Sequence, residues 1–322
     1  MENLYNELIK SRQIILKNGE CGIYSYSGQF LTVMEMIDKW FVQTIKNNYV
    51  CMEETYPDFL PIKEINRINY FSKFPTIPYI QYPIKNKEKE NILMISSDAE
   101  KGKLKEDYFI TNHTLLDEKQ GMVFNPSTCY HTFITRKGEK ICKDLEVVTA
   151  ISQCVRNEST DYENPMRLRN FRMREAVFIG SKQLVENAAK DFFSILFREI
   201  KKLTDKAMTD YSSDIFFGQK ATLMMEYQKE TCQKEELIIP ITNLANKRKV
   251  INLACASRNF HNSFLCNAFN IKATNYKVHS ACVAIGVERL AYALLSNCGT
   301  NLKKWNDCEL KKLILKNEST IQ

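Results

Sequence analysis

The clearest alternation of hydrophobic and polar positions runs from Glu146 to Gly180. It reads as one strand from Glu146 to Glu158, a polar loop from Ser159 to Asn170, and a second strand from Phe171 to Gly180. Side chains alternate across a strand. Ser152, Cys154, Arg156 and Glu158 therefore share one face, small residues leading to a cation and an acid. Phe171, Met173, Glu175, Val177 and Ile179 share a face of the second strand, which puts a single acid in an apolar row. Burial would strip an unpartnered carboxylate of its hydration or make it hold a proton. Arg172 and Arg174 point to the other face and are not its easy partners. Two readings stay open: Glu175 faces a metal, or the sheet edge is wet and Glu175 is solvated.

The rest of the chain supplies helices and further short strands. Residues 1 to 20 pattern as an amphipathic helix that Gly19 and Gly22 break, followed by a turn over Tyr24 to Phe30. Leu31, Met34, Ile37, Trp40, Phe41 and Ile45 recur at helical spacing. Tyr49 to Pro61 reads as a strand stopped by Pro57 and Pro61. Phe109 to Phe133 reads as short strands, and within it Cys129, His131 and Phe133 fall on one face. Ser181 caps a helix from Lys182 to about Lys206 whose apolar stripe is core. Asp214 to Gly218 is a turn. Ala221 to Tyr227, Glu236 to Ile241, Val250 to Phe260 and Asn275 to Ile285 are strand candidates. Ser280, Cys282 and Ala284 form a small-residue face. Gly286 ends that strand, and Glu288-Arg289 opens a helix through Leu295. Arg289 thus sits at a helix N-terminus, where amide groups and helix dipole favour phosphate. Strands outside a βαβ alternation, with long helices among them, predict an α+β fold.

Composition changes this picture little but excludes several classes. The chain has 322 residues, 44% apolar and 26% charged, enough for one large domain or two small ones. A net charge of +7 without a basic run argues against a nucleic-acid groove. An acidic partner, a phosphate ligand or a solvated surface fits it equally. No apolar run reaches the ~20 residues of a membrane span, and no signal segment opens the chain, so the expectation is a cytoplasmic protein. Eleven cysteines without paired spacing fit reduced thiols. With no Cys-x-x-Cys and only four histidines, any metal must use cysteine and carboxylate. Neither a Gly-x-Gly-x-x-Gly nor a P-loop is present, so a nucleotide would bind by another route.

Three points then line up. Arg156-Asn157-Glu158 before a polar loop resembles motif 2 of class II aminoacyl-tRNA synthetases. Gly286-Val287-Glu288-Arg289-Leu290 at a strand-to-helix junction resembles motif 3, poorer in glycine than many. Leu31 to Pro61 is similar to motif 1, the dimer element. Longer phrases resemble one offshoot, the amino acid:[carrier protein] ligases, which look like the methanogen-type seryl-tRNA synthetase catalytic domain without its tRNA-binding domain. These are Asn69-Tyr70-Phe71-Ser72-Lys73-Phe74-Pro75, Met173 to Gly180, Ser257-Arg258-Asn259-Phe260-His261 and Ala281 to Leu290.

The resemblance implies a class II synthetase-like antiparallel sheet flanked by helices, a single catalytic domain over 1–322. Residues 1–20 would be an N-terminal helix and 21–295 the core, with motif 1 near 31–61, motif 2 near 146–180 and motif 3 near 278–295. It implies zinc held by Cys129, Glu175 and Cys282, with an open position for the amino group of a small amino acid. It implies ATP with Mg²⁺, an aminoacyl-adenylate, and transfer to the phosphopantetheine arm of a carrier protein. Arg156 would clamp the α-phosphate and carboxylate, Glu158 the adenine and Arg289 the γ-phosphate. Glu236 and Asn259 line the amino acid or ATP pocket in this reading or serve the structure. Arg174 does the same or balances charge. His131, His261 and His279 are read as structural and Cys154 as core. A homodimer is expected, a membrane is not, and tRNA is not the expected acceptor because no tRNA module is appended. The alternatives are a seryl-like tRNA synthetase and a non-catalytic paralogue that binds amino acid or protein.

Overall fold

The alternating stretch becomes the centre of a seven-stranded sheet in the computed structural model, which describes residues 4–16, 22–85, 89–157, 167–242 and 250–321. The strands are β1 (Cys51–Thr55), β2 (Leu145–Val155), β3 (Asn170–Gly180), β4 (Met208–Tyr211), β5 (Lys234–Thr242), β6 (Val250–Asn262) and β7 (His279–Gly286). Their order is β4-β5-β6-β7-β3-β2-β1. Every pair is antiparallel except β1 with β2. The fold is therefore α+β, with an antiparallel-dominated sheet flanked by helices, as expected.

The two faces of the sheet are different because alternate residues are different. On β3, Ala176 and Phe178 join a large core made with helices α1 (Gly28–Asn48), α3 (Lys182–Leu203) and α5 (Val287–Cys298). Apolar residues three and four apart give α1 its buried stripe, among them Phe30, Met34, Ile37 and Phe41. Phe41 of α1 meets Phe192 of α3 edge-on at 5.1 Å, and Phe192 lies 6.2 Å from Phe178 of the sheet. Each such buried side chain contributes about 1.5–3 kcal/mol by leaving water. Val177 and Ile179, one residue out of phase, point the other way into a second, smaller core that includes Cys129 and Cys282. Among the described residues, no helix is long and apolar enough to cross a membrane.

Several local expectations differ from what forms. The N-terminal helix is only Leu4–Lys10; a turn with Arg12 at φ 55° follows, and Ile14–Leu16 pairs with Tyr24–Tyr26, where a turn was predicted. Gly19 lies outside the described residues. The strand expected over Tyr49 to Pro61 is split into β1 and Phe59–Pro61, with Pro57 between them offering no ladder N–H. Of the short strands expected over Phe109 to Phe133, only Met122–Phe124 forms. Cys129 begins a helix instead, α2 (Cys129–Thr135), in which Cys129, Thr132 and Phe133 are buried at helical spacing. Ala221 to Tyr227 is likewise helical, within α4 (Ala221–Glu230), where leucine, methionine, glutamate and lysine all favour a helix.

Candidate active site and metal centre

The sheet face opposite α1 and α3 carries a cavity of about 830 Å³. Register builds its floor. Glu236 pairs with Ser257, Ser257 with Ala284 and Ala284 with Glu175, one row across four strands. Two carboxylates thus bracket two small side chains, which leaves room for a ligand between them. The adjoining positions Asn259 and Cys282 pair directly. All six residues line the cavity.

At one end of this row lies a thiol cluster. Cys129, at the start of α2, and Cys282, on β7, have ligand atoms within 4.8 Å of each other and of a ring nitrogen of His261. Glu175 faces them. Its Oε1 accepts from Ser127 Oγ at 3.0 Å and from the Thr128 N–H at 2.9 Å, while its buried Oε2 has no hydrogen-bond partner. Burial pushes the Glu175 carboxyl up from its ordinary value. For Cys129, contact with Cys282 acts downward, but burial and the Glu175 charge outweigh it and the net shift is up. Cys282 is pushed well up by the neighbouring Cys129, by burial and by Glu175. Burial disfavours the charged form of all three groups, and the Glu175 charge adds to this for both thiols. A divalent cation is the partner that reverses this, and an orphaned carboxylate oxygen beside two thiols is a fitting donor set for it.

Three arginines line the same cavity, Arg156, Arg167 and Arg289. Arg156, just past β2, donates from Nε to the Pro126 carbonyl at 2.6 Å and holds its guanidinium 5.4 Å from the Phe171 ring centroid. Arg289, in the first turn of α5, donates from Nη1 to the Ala254 carbonyl at 3.2 Å. Beside it Glu288 is buried and accepts from the Arg172 backbone N–H at 2.9 Å and its Nε at 3.2 Å.

The structure thus places Cys129, Glu175, Cys282, Arg156, Arg289, Glu236 and Asn259 around one cavity. It places Arg174 elsewhere, on the opposite face of β3, where it binds Asp38 of α1 at 2.5 and 2.9 Å and Glu53 of β1 at 3.4 Å. Its two neighbours there are acids, so it balances charge between sheet and helix. Glu158 lies outside the described residues. Sequence reasoning missed Lys234, which lines the cavity and holds Asp214 at 2.8 Å and Glu236 at 3.1 Å. Burial acts to raise Asp214, but the Lys234 charge outweighs it and keeps the carboxyl low. The period-2 spacing of Lys234 and Glu236 was a usable signal; the turn carrying Asp214 gave none. His261, read as structural, lines the cavity beside the thiols.

This sheet, its central hairpin and the strand-to-helix junction at Gly286 define the class: the chain has the fold of a class II aminoacyl-tRNA synthetase catalytic domain. It superposes on the seryl-tRNA synthetase of M. kandleri, solved in complex with a selenocysteine tRNA of A. aeolicus, with a TM-score of 0.83 at 16% identity, over 99% of this chain and 61% of that one. A prolyl-tRNA synthetase from Cryptosporidium parvum, complexed with halofuginone and AMPPNP, matches with a TM-score of 0.63 at 12% identity, over 91% and 51%. In sequence, the chain is similar to two ligases of Bradyrhizobium diazoefficiens. It is 30% identical over 186 residues to amino acid–[acyl-carrier-protein] ligase 1, covering 57% of this chain and 55% of that protein. It is 26% identical over 293 residues to ligase 2, covering 89% and 81%. A type-2 serine–tRNA ligase of Methanococcus maripaludis is 23% identical over 269 residues, 80% of this chain and 50% of that protein. The chain thus spans about half the length of the first ligase and of the serine–tRNA ligase. No protein-family model matches it.

Proposed function

We propose that the chain activates a small amino acid with ATP to an aminoacyl-adenylate and transfers it to the phosphopantetheine thiol of a carrier protein. One observation carries this reading: a single cavity holds Cys129, Cys282 and Glu175, donors suited to a metal, at one end and Arg156 and Arg289, suited to phosphates, nearby. The names of the two ligase relatives supply the acceptor. Zinc held by Cys129, Glu175 and Cys282 would supply a Lewis-acid position for a neutral amino group. Arg156 would bind the amino acid carboxylate and the α-phosphate, where charge develops as the carboxylate attacks phosphorus and pyrophosphate leaves. Arg289 would hold the γ-phosphate, and Mg²⁺ would accompany the triphosphate. Glu236 and Asn259 would shape the amino acid end of the pocket, and the small Ser257 and Ala284 favour a small substrate. Glu158 would contact the adenine.

The chain would act as a homodimer through the edge strand β1 and the residue before it, where Val50 is 94% and Met52 46% exposed. The described cysteines are free thiols, which suits a cytoplasmic enzyme. A second reading, aminoacylation of tRNA, draws on the fold match to a tRNA-bound seryl enzyme.

The test is amino-acid-dependent ATP–pyrophosphate exchange across the twenty amino acids with zinc present. Exchange with one or two small amino acids is expected, followed by loading of carrier protein but not of tRNA. Zinc-loaded protein that exchanges with none of them would sink the adenylation reading.

A further inference from the structure

The geometry points to His261 as a fourth protein donor of the metal centre, one that holds the metal while no amine is bound and gives way when the substrate amine arrives. This rests on the metal reading above. It adds a residue to the centre and a resting state to the site.

Backbone geometry delivers the ring to this place. On β6, Phe260 pairs with Ala281 of β7 and Asn262 pairs with Ser280, so two steps on one strand face one on the other. His261 is the extra residue of this bulge, and Asn262 after it has φ 54°. A bulge re-aims the side chain it carries. Here it lays the ring against β7, with Nδ1 3.3 Å from Ser280 Oγ and Nε2 3.6 Å from Cys282 Sγ. Phe133 of α2 meets the ring edge-on at 6.0 Å.

The two contacts admit two tautomers. With Nδ1–H donating to Ser280 Oγ, the Nε2 lone pair faces the two sulfurs, the tautomer that imidazole ligands of metals adopt when their other nitrogen is hydrogen-bonded. Cys129, Cys282 and His261 have ligand atoms within 4.8 Å of one another, and with Glu175 they would give zinc four protein donors. Among them the imidazole is the neutral one. A neutral amine can replace it without changing the charge of the centre, whereas displacing a thiolate or the carboxylate would. His261 also lines the cavity, so an incoming amino acid meets it directly. The competing arrangement has Nε2–H donating to the Cys282 sulfur, with His261 only supporting the thiolate.

X-ray absorption at the zinc edge on the full, zinc-loaded chain separates the two. The expected result is two sulfurs with the outer-shell scattering of one imidazole in the amine-free protein. Saturation with a small amino acid that supports pyrophosphate exchange should remove most of that imidazole signal. In His261→Gln the signal should be absent without amine. Cobalt substituted into that variant should give an altered visible spectrum that added imidazole restores, and metal affinity should fall by about 10–100-fold. Affinity alone does not decide, because loss of a supporting contact lowers it as well. Two sulfurs without imidazole in the wild type would overturn the inference and leave the metal site standing. An imidazole signal that persists at saturating amino acid would overturn the exchange. A protein that binds no zinc would overturn both the metal reading and this one. Should the variant fail to fold, the wild-type spectra alone decide.

Discussion

Replacing Glu175 by glutamine separates the charge of the site from its shape. Oε1 keeps both donors, Ser127 Oγ and the Thr128 N–H, because an amide oxygen accepts them equally well. The change falls on Oε2, the buried oxygen without a partner. In the metal-free protein, burial raises this carboxyl above its ordinary 4.5. A group with a raised folded pKa contributes stability that is full below the unfolded pKa and is lost as pH climbs through the folded one. Within that window the wild type loses about 1.4 kcal/mol per pH unit relative to the variant. The thiols, both pushed above their ordinary values, stay protonated across the acid range in both proteins and do not enter the difference there. Against the variant stands its new amide NH₂, buried beside weak sulfur acceptors at a cost of about 1–3 kcal/mol. Glu175→Gln should therefore be the less stable protein at about pH 4, and the gap should close as pH rises above 4.5. Zinc should act the other way. A ligand at a hundred times its Kd adds about 2.7 kcal/mol to a folded state that alone binds it. The wild type should gain this fully and the variant, lacking an anionic donor, much less. Urea unfolding across this pH range, with chelator and with excess zinc, measures both effects. Parallel pH curves in chelator would show that Glu175 ionises freely in the folded protein. Equal zinc gains would show that its carboxylate does not hold the metal.

Three further outcomes test other parts of the structure. Arg174→Met should cost about 1.5–3 kcal/mol in urea unfolding, because it leaves Asp38 without this cation while Glu53 keeps Lys46 at 2.6 Å. Its KM for amino acid should stay unchanged, and a selective rise would return Arg174 to the pocket. Gly180→Ala would put a Cβ 2.1 Å from the Asp144 carbonyl oxygen, so a loss of at least about 1–3 kcal/mol in thermal unfolding is expected; an unchanged midpoint would refute that close approach. Arg156→Ala should lower pyrophosphate exchange by about 10²–10³-fold while unfolding loses only about 1 kcal/mol from its contacts with the Pro126 carbonyl and Phe171, and exchange at the wild-type rate would remove Arg156 from the chemistry.

Much of this molecule is local information. Period-2 alternation on β2 and β3 is a property of the backbone, so the separation of Glu175 from Arg174 and Arg172 onto opposite faces was legible without any tertiary contact. The apolar stripes of α1 and α3 were legible for the same reason, at helical period. Short segments were not. Cys129 to Phe133 satisfies both periods over so few residues, and only packing over β3 decides that it is a helix. Ala221 to Tyr227 was misread as a strand although its residues favour a helix.

The site depends still more on assembly. Alternation left Glu175 facing either water or a cation; α2, carrying Cys129, and β7, carrying Cys282, bury it beside two thiols and leave Oε2 unpartnered. The expected ligand set, Cys129, Glu175 and Cys282, came from resemblance to a family, since no spacing in the chain joins residues on a helix and two strands. Lys234, Asp214 and Glu236 became a linked group only when a turn folded back over β5. His261 shows the limit best: its residue type and parity were in plain view, but a bulge between Phe260 and Asn262 turns it toward Cys282, and a bulge is set by how two strands share their hydrogen bonds.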